Sequence, residues 1–394
     1  MFKRGYGPRN AKIVIVGEAF GAQEEISNIP FSGASGHLLT KMLIRAGINR
    51  TDCYITNVVN ARPHNNKFEF FLPILEKAIE FLKEDLKEIK PNIIIAVGKT
   101  SLNALTGKDS IEKWRGSIIP TEMGKVIGTY HPAHILRAYE KRSIAELDFV
   151  KARKESYSRE FEEITYVRKI QPSFSDVLEF INKGHKRLSF DIETLGEHTR
   201  CLGFGYSRTE AICIPFIKNR TEHYWSLSEE MEILRYLDLL FKETEIKKIA
   251  QNFPFDSSVL ARDFGFQING LEMDTMIAAH CCYCELPKSL AFLASIYTDV
   301  PYWKTHNTKS DTSEFDYNCL DCISTFQLAD SLKKEMIELN VFDFYNKHCQ
   351  PLMLAITEAG NRGVLIDQNY REKLKNETEI AIAEIECALT NYTS

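Results

Sequence analysis

The sequence predicts an α/β protein made of two successive α/β domains and a C-terminal helical segment. Over residues 1–150, short apolar runs that suit buried parallel strands alternate with helical stretches. A second series, of strands followed by helices, begins near residue 188. From about residue 345 the pattern is helical, and a chain of 394 residues is long enough for two or three domains.

The elements of the first domain follow from apolar runs of strand length and from helical periodicity. Strands are predicted at residues 12–16, 54–59 and 93–97. Helices are predicted near residues 36–46, 72–87 and 100–105. Strands that alternate with helices in this way form a central sheet with both faces covered, so an α/β/α sandwich is expected.

The second domain begins with strands predicted at residues 188–192, 202–206 and 211–215. Helices are predicted near residues 229–241, 255–264, 273–281 and 317–339. Between the domains, Lys and Arg are frequent over residues 139–170, which indicates a solvated helix and a linker or, alternatively, a track for the DNA backbone. The predicted segments are a first domain at 1–152, a charged linker at 153–175, a second domain at 176–340 and a helical stub at 341–394.

Two carboxylates stand two residues apart in the apolar stretch Leu-Ser-Phe-Asp-Ile-Glu-Thr. Asp191 and Glu193 therefore lie on the same face of a predicted strand. Burying two like charges this close is costly unless a cation holds them. Asp256 follows in Asn-Phe-Pro-Phe-Asp, and Tyr317 and Asp321 share one helix face. These oxygen groups suit two Mg²⁺ or Mn²⁺ ions rather than zinc, and they predict two-metal hydrolysis of a phosphodiester.

The order of these motifs resembles that of the DnaQ-like 3′–5′ exonuclease superfamily in its DEDDy form. The resemblance implies an RNase H-like α/β domain in which Asp191, Glu193 and Asp321 bind the first metal ion. Asp191, helped by Asp256 through water, would bind the second ion. Tyr317, with Glu193, would orient the attacking water. The alternative is that each carboxylate is a solvated surface charge, which an ordered set inside apolar segments disfavours.

A second set of motifs lies in the first domain. Gly-Glu-Ala-Phe-Gly ends the first predicted strand, and Pro-Phe-Ser-Gly-Ala-Ser-Gly, Ile-Thr-Asn-Val-Val and Thr-Tyr-His-Pro-Ala follow it. A glycine-rich loop after a strand lets backbone N–H groups approach a ligand at a helix start. A neighbouring aromatic ring can stack on a base, an Asn can read a base edge, and a His-Pro turn can aim an imidazole. An enzyme that acts on a base flips it into such a pocket.

These motifs resemble those of the family-4 uracil-DNA glycosylases in order and in spacing. The resemblance implies that Phe31 stacks on uracil and that Asn57 hydrogen-bonds the N3/O4 edge of the base. His131 would bond O2 and stabilise the departing uracil anion. Glu18, with nearby backbone, would hold the water, and Glu24 would lie close to the pocket. This chemistry needs no metal.

Two departures from the family pattern bear on activity. The family usually carries four cysteines on an iron–sulfur cluster, but the first pair is missing here and the other two positions are Ala61 and Ala78. No iron–sulfur cluster is therefore expected. Phe20 stands where the family usually has Pro, which can reshape the loop that places the water. Two hypotheses follow: the domain excises uracil, or it is an inactive module that binds uracil or DNA or acts as a scaffold.

The C-terminal segment resembles the start of the thumb region of family-A DNA polymerases. Pro-Leu is followed by Gly-Val-Leu-Ile-Asp and then by a long predicted helix. The whole chain thus resembles the N-terminal region of a phage-type family-A polymerase. No palm motif follows, so polymerisation by this chain alone is not expected; a truncation and one half of a split protein are the alternatives.

The composition, with 44% hydrophobic and 26% charged residues, is that of a globular protein. The chain has no membrane-length apolar run and no signal-like N-terminus, and its ten cysteines are scattered, so the cytoplasm of a bacterium or of a phage-infected host is expected. With a net charge of −5, the chain as a whole lacks the positive charge typical of DNA-binding proteins, although metal ions and local basic patches can still contact DNA phosphates. The expected partners are DNA (single-stranded, with a frayed 3′ end, or uracil-containing) and a polymerase palm and fingers region or subunit; no membrane is expected.

Three local patterns are interpreted as structural. Gly98-Lys99-Thr100 lacks the upstream Gly of a P-loop, since that position is Ile93. Cys319 and Cys322 lie on a helix and lack the loop spacing of a zinc knuckle. The stretch at residues 302–304, Tyr-Trp-Lys, is predicted as a packed loop rather than as a stacking platform for a single strand.

Overall fold

The computed structural model describes residues 3–304 and 310–393. The chain divides into two compact units, Met1–Tyr345 and Asn346–Ser394. The first unit contains the sheets of the two predicted α/β domains. None of the helices within the described ranges combines the length and the hydropathy that crossing a bilayer requires.

A mostly parallel sheet forms the centre of the first domain. Its strands are β1 (Ile13–Ala19), β2 (Cys53–Val59), β3 (Ile93–Val97), β4 (Ile118–Thr121) and β5 (Gly124–Thr129). They lie in the order β2-β1-β3-β5-β4, with β4 antiparallel to β5 at one edge. The pairs formed by β1, β2, β3 and β5 are parallel, so their carboxyl ends meet at one edge of the sheet.

Helices cover both faces of this sheet. They are α1 (Ala22–Ser27), α2 (Ala34–Arg45), α3 (Leu75–Ile89), α4 (Lys99–Thr106), α5 (Ile111–Trp114), α6 (Pro132–Ile135) and α7 (Arg142–Glu155). Met42 and Phe149 belong to the core on one face, and Leu86 and Leu102 belong to the core on the other. The predicted α/β/α sandwich is confirmed.

Two predictions for the first domain differ from the structure. The helix predicted at 72–87 begins at Leu75, because Phe68–Ile74 forms a 3₁₀ helix that contains Pro73. The charge-rich segment predicted as a solvated helix forms α7, which buries Ala145, Phe149 and Ala152. Asp148 of the same helix is also buried, and only Arg153 and Lys154 among its charged residues are exposed, so charge density alone gave the wrong exposure for this helix.

A mixed sheet forms the centre of the second domain. Its strands are β6 (Val167–Lys169), β7 (Arg187–Leu195), β8 (His198–Gly205), β9 (Glu210–Pro215), β12 (Lys247–Ala250) and β13 (Leu271–Asp274). The strands β10 (Ile217–Lys218) and β11 (Glu222–His223) form a separate two-stranded hairpin. The sheet order is β13-β12-β7-β8-β9-β6. The strand β7 is antiparallel to β8 and parallel to β12, which places it at the centre of the sheet.

The predicted linker at 153–175 is wrong at both ends. Helix α7 continues to Glu155, and Val167–Lys169 is strand β6, which pairs in parallel with β9 at the edge of the second sheet. Ser173 then caps the next helix, whose first residue is Phe174. Short charged strands at a sheet edge carry little apolar signal, so this strand was not visible in the sequence.

Helices of the second domain follow or flank these strands. They are α8 (Phe174–Asn182), α9 (Leu227–Lys242), α10 (Phe253–Phe264), α11 (Thr275–Cys282), α12 (Leu290–Tyr297), α13 (Asp311–Glu338) and α14 (Phe342–Phe344). The helix predicted at 273–281 begins at Thr275, because Met273 lies in β13 and Asp274 is the N-cap. Helices α8 and α12 were not predicted.

The second compact unit, taken by itself, is helical as predicted. Helix α15 spans Gln350–Arg362 and helix α16 spans Gln368–Thr393. Gly363 follows the last turn of α15 with φ of 73° and ψ of 178°, a positive-φ backbone conformation that glycine adopts without strain. The predicted fold class, two α/β domains and a helical C-terminal segment, therefore holds across the described residues.

Candidate active sites

The central strand of the second sheet carries the first pair of predicted ligands. Asp191 and Glu193 lie on β7, and the strand register shifts just after Glu193, a local irregularity that re-aims side chains. Helix α13 packs across β7 and β8 and brings Asp321 to the same place. Carboxylate oxygens of Asp191, Glu193 and Asp321 lie within 4.8 Å of one another. One cation can bind all of them at once.

Asp256 is placed beside this group by the capping of two helices. The carboxylate of Asp274 accepts hydrogen bonds from the backbone N–H of Phe253 (2.7 Å) and of Ile277 (3.0 Å), which fixes the starts of α10 and α11. Asp256 lies in the first turn of α10 and is 3% exposed. Its Oδ2 atom has no hydrogen-bond partner among the described residues. A buried acceptor without a partner is what a cation or its bound water satisfies.

The electrostatics of this cluster also favour a cation. Burial and the neighbouring carboxylates raise the pKa values of Asp191 and Asp256 well above their usual range. Burial and Asp321 raise the pKa of Glu193 to about 8. Carboxylates that repel one another in a buried site become stable as anions only when positive charge is supplied.

Two loop residues that sequence reasoning missed complete this site. Trp303 Nε1–H donates to Oδ1 of Asp321 at 2.6 Å, and Lys304 Nζ donates to Tyr317 Oη and, at 3.2 Å, to Oδ2 of Asp321. Burial alone would lower the pKa of Lys304, but Asp321 and Tyr317 raise it above its ordinary value. Trp303 is buried as the packed-loop prediction implies, yet it packs against a predicted ligand. Loop residues have no periodicity that could have revealed this contact.

Asn318 is a further residue of the site that the sequence did not indicate. Its Nδ2 donates to the backbone oxygen of Asp191 (3.1 Å) and to Oδ2 of Asp191 (2.9 Å). Gly203 on β8 makes room for it, since a Cβ atom there would lie 2.2 Å from Asn318 Oδ1. Asn318 therefore fixes the orientation of the Asp191 carboxylate.

The predicted pocket residues of the first domain meet at the carboxyl edge of its sheet. Gly17 at the end of β1 is aligned with Asn57 on β2, and a Cβ atom at Gly17 would lie 2.3 Å from Asn57 Oδ1 and 2.5 Å from the ring of Phe31. The rings of Phe31 and His131 have centroids 5.7 Å apart. The absence of a side chain at position 17 lets these groups converge.

The loop that carries Phe31 is clamped by Arg50, which was not predicted. Phe31 has φ of 55°, an uncommon conformation for an aromatic residue. The Arg50 guanidinium donates to the backbone oxygens of Phe31 (2.9 Å), Pro30 (3.1 Å) and Gly36 (3.2 Å). These contacts hold the strained residue and therefore fix the position of its buried ring.

The amide of Asn57 is oriented by Asn60. Asn60 Oδ1 accepts from both the backbone N–H (3.0 Å) and Nδ2 (3.1 Å) of Asn57. Asn60 is itself held through its Nδ2, which donates to Thr56 Oγ1 and to the backbone oxygen of Lys3, each at 2.9 Å. This leaves Asn57 Oδ1 and one amide hydrogen to face a ligand.

His131 is held in one tautomer. It is the N-cap of α6, and its Nδ1 accepts from the backbone N–H of Ala133 at 3.1 Å, so the neutral ring carries its proton on Nε2. Burial, with Arg137, lowers the pKa of His131 to about 4. The imidazole is therefore a neutral N–H donor at physiological pH.

The two predicted acidic residues of this pocket have different contacts. Glu18 Oε2 accepts from the Thr100 hydroxyl at the start of α4. Glu24 is buried, and its Oε1 accepts from the backbone N–H of Gly33 at 3.2 Å. Glu24 thus ties α1 to the loop that carries Phe31, while Glu18 lies at the end of β1.

Comparison with known proteins assigns both domains. Residues 4–155 match the uracil DNA glycosylase superfamily and residues 170–337 match the 3′–5′ exonuclease family of DNA polymerase A type. The type-4 uracil-DNA glycosylase of Archaeoglobus fulgidus is 37% identical over 162 residues, which are 37% of this chain and 78% of that protein. By its first domain, the chain belongs to the type-4 uracil-DNA glycosylase family.

Other relatives extend the comparison. The type-4 uracil-DNA glycosylase of Thermotoga maritima is 40% identical over 157 residues, which are 38% of this chain and 80% of that protein. A DNA polymerase of Bacillus phage SP01 is 23% identical over 307 residues, which are 70% of this chain but 33% of the phage protein. The chain is thus a hydrolase with a glycosylase domain and an exonuclease domain, and it spans about a third of that polymerase.

The donor set of the exonuclease domain fits the divalent metal ions that such a domain uses. Asp191, Glu193 and Asp321 supply oxygens at bridging distance, and Asp256 supplies a buried oxygen without a hydrogen-bond partner among the described residues. Hard oxygen donors of this kind suit Mg²⁺ or Mn²⁺.

The residues of the glycosylase domain do not fit an iron–sulfur cluster. Cys53 is the single cysteine in residues 1–152, and Ala61 and Ala78 offer no ligand atom. The N-terminal segment is instead tied to α3 by polar contacts: Arg9 pairs with Asp85 at 2.6 Å, and the Tyr54 hydroxyl donates to the same carboxylate at 2.6 Å.

The other departure from the family pattern has a local structural role. The backbone N–H of Phe20 donates to the oxygen of Ala61 at 3.1 Å, a hydrogen bond that a proline cannot make. The Phe20 ring is buried, so it packs into the domain rather than filling the pocket mouth as an exposed group.

Uracil excision by the glycosylase domain is expected to persist in mild acid. The pKa of His131 lies below its ordinary value of 6.5, near 4, so the folded pocket keeps the neutral donor while an exposed histidine would protonate. Because the pKa of His131 is lower in the folded protein than in the unfolded chain, the folded state is stabilised relative to the unfolded state above about pH 6.5. This contribution is lost as the pH falls toward 4. Excision rates measured in EDTA should therefore show no inflection near pH 6.5. A loss of about tenfold with a midpoint near that pH would contradict a neutral His131.

Proposed function

We propose that this chain excises uracil from DNA and degrades DNA from its 3′ end, as part of a family-A DNA polymerase. The observation that carries the exonuclease activity is the convergence of Asp191, Glu193 and Asp321 beside the buried Asp256. The glycosylase activity rests on the convergence of Phe31, Asn57 and His131 at one sheet edge.

In the exonuclease site, the proposed roles follow the family resemblance and are supported by the proximity of the carboxylates. Asp191, Glu193 and Asp321 would hold one Mg²⁺ or Mn²⁺ ion, and Asp191, helped by Asp256 through water, would hold the second. When bound, such a pair of ions makes water a better nucleophile and stabilises charge on the phosphate oxygens. The Tyr317 hydroxyl, with Glu193, orients the attacking water at a frayed 3′ end.

In the glycosylase site, the base is flipped out of the strand and read by the pocket. Phe31 stacks on uracil, and Asn57 accepts from N3–H and donates to O4. The N1–C1′ bond breaks with its electron pair passing to uracil, and the Nε2–H of His131 donates to O2, where negative charge develops. Glu18 holds the water that adds to C1′, and Glu24 keeps the Phe31 loop in place through Gly33.

The polymerase context is supported by relatives that are DNA polymerases. The phage DNA polymerase matches this chain over 307 residues, a length that exceeds either domain alone. A polymerase palm and fingers region, in the same or another chain, is therefore the proposed partner, with DNA as the substrate of both sites.

A direct test of the proposed exonuclease uses a uracil-free single strand labelled at its 5′ end. With Mg²⁺ or Mn²⁺ the labelled strand should shorten stepwise and release nucleoside monophosphates, and with EDTA it should stay intact. A 3′-terminal phosphorothioate linkage is the matched control for direction, since it should slow the loss of the first nucleotide. Shortening that starts from the 5′ end, or that continues in EDTA, would overturn the assignment.

A further inference from the structure

The glycosylase domain contacts the exonuclease domain through α12 and the loop that follows it. Arg115, which is 3% exposed, donates from Nε to Asp148 Oδ2 and from Nη1 to Ser295 Oγ, each at 3.0 Å. Asp148 also accepts from Thr129 Oγ1 at 2.7 Å, so this buried ion pair is anchored on the glycosylase sheet. A buried pair whose hydrogen bonds are satisfied defines one docking geometry for α12.

A second anchor holds the end of α12. Lys151 Nζ donates to the backbone oxygens of Ser295 (2.8 Å) and Thr298 (3.0 Å), where the helix leaves carbonyls without intrahelical partners. Gly116 lies so close that a Cβ atom there would be 2.8 Å from the oxygen of Ser295. The chain that leaves α12 is thereby fixed on the glycosylase domain.

The same stretch of chain ends inside the exonuclease site. The ring of Tyr302 packs against the ring of Trp114 of the glycosylase domain, with centroids 5.5 Å apart and an interplanar angle of 58°. The next two residues, Trp303 and Lys304, donate to Asp321, and Lys304 also donates to Tyr317. Residues 298–304 therefore connect the anchors on one domain to the carboxylates and phenol of the other.

We propose that the glycosylase domain is a structural part of the exonuclease site, because it positions Trp303 and Lys304. These are positioning residues: Trp303 orients the Asp321 carboxylate, and Lys304 holds the Tyr317 hydroxyl against Asp321. The inference rests on the proposed exonuclease function. It adds that 3′-end degradation depends on the α12 anchors, although none of them lies in either catalytic pocket.

Lys304→Met tests whether Lys304 acts by positioning Tyr317 or only by neutralising the charge of the carboxylates. Removing a positive charge beside the carboxylates should tighten Mn²⁺ binding, by at least about threefold, as measured by the electron paramagnetic resonance signal of free Mn²⁺. The exonuclease rate at saturating Mn²⁺ should nevertheless fall by about 10–100-fold, because Tyr317 loses the hydrogen bond that positions its hydroxyl. A rate equal to or above that of the wild type would overturn the positioning role.

Trp303→Phe tests the second contact with a conservative change. The ring is retained, but the N–H that donates to Asp321 is lost. Mn²⁺ affinity and exonuclease rate should each fall by about tenfold. If neither changes, Trp303 is only a packing residue and its part of the proposal is wrong.

Lys151→Met tests the link between the domains. The full chain with this change should excise uracil in EDTA at the wild-type rate and should lose about tenfold in exonuclease rate. Lys154→Met is the matched control, because Lys154 is an exposed lysine of the same helix, and it should leave both rates unchanged.

The outcomes separate this proposal from the function on which it rests. If wild-type protein shows no metal-dependent 3′ degradation, the proposed exonuclease itself fails. If the wild type degrades DNA and Lys151→Met degrades it equally fast while both proteins excise uracil, the exonuclease stands and the coupling through α12 is refuted.

Discussion

Replacing Asp191 by Ala is expected to abolish exonuclease activity and to leave uracil excision intact. Asp191 is the residue proposed to contact both metal ions, and Asn318 Nδ2 holds it in place by donating to its carboxylate and to its backbone oxygen. Losing the stabilisation that two ions give to a phosphoryl transition state costs several kcal/mol, or about 10³-fold or more in rate. The measurement is release of nucleoside monophosphates from a labelled single strand with saturating Mg²⁺.

Thermal unfolding supplies an independent readout for the same change. Asp191→Ala removes one of several mutually repelling carboxylates, so the protein in EDTA should unfold at an equal or higher temperature than the wild type. Mn²⁺ should raise the unfolding temperature of the wild type but not of the variant. Asp330→Ala is the control, because this exposed carboxylate on α13 pairs with Arg187 at 2.6 Å outside the site. Wild-type exonuclease activity in Asp191→Ala would contradict the two-metal site.

Replacing Asn57 by Ala is expected to lower uracil excision by about 100-fold or more, with exonuclease activity unchanged. The pocket then loses both groups that recognise the N3/O4 edge, and a site that loses such polar contacts discriminates poorly. Asn60 Oδ1 also loses its Nδ2 donor, at a cost of about 1–2 kcal/mol in the free energy of unfolding. Excision should be followed in EDTA on a single-uracil oligonucleotide.

The matched control for this change is Asn49→Ala. Asn49 is exposed and caps a short 3₁₀ turn by accepting from the backbone N–H of Thr51. It therefore has the same side chain as Asn57 but lies outside the proposed uracil site. Excision at the wild-type rate in Asn57→Ala would mean that the pocket does not act on uracil. A loss of uracil-selective binding in a wild-type protein that excises nothing would instead indicate a binding module.

Much of the exonuclease site could be predicted because its ligands lie on regular elements. Period-two alternation placed Asp191 and Glu193 on one face of β7, and the four-residue spacing placed Tyr317 and Asp321 on one face of α13. The elements that failed were short or marginal. Strand β6 is charged and at a sheet edge, and α12 is a short helix without polar periodicity.

The supporting residues could not be predicted, because tertiary contacts place them. Arg50 reaches the Phe31 loop across the fold, and Trp303 reaches Asp321 from a loop. Asn318 lies between two predicted residues on α13, but its contact with Asp191 depends on how that helix crosses β7. The exposure of α7 was predicted wrongly, because its many charged residues made its buried residues hard to recognise in the sequence. One of those charged residues, Lys151, contacts α12 through the backbone oxygen of Ser295.

The most direct test of two independent active sites in one chain uses a 5′-labelled oligonucleotide with one internal uracil. Wild-type protein and Asp191→Ala would each be incubated with it in EDTA, and the products would be treated with hot alkali. Both proteins should give a single break at the uracil and none in a thymine control, because glycosylase chemistry needs no metal. An intact strand from both proteins would contradict the account, and it would leave the first domain as a module that binds or positions DNA.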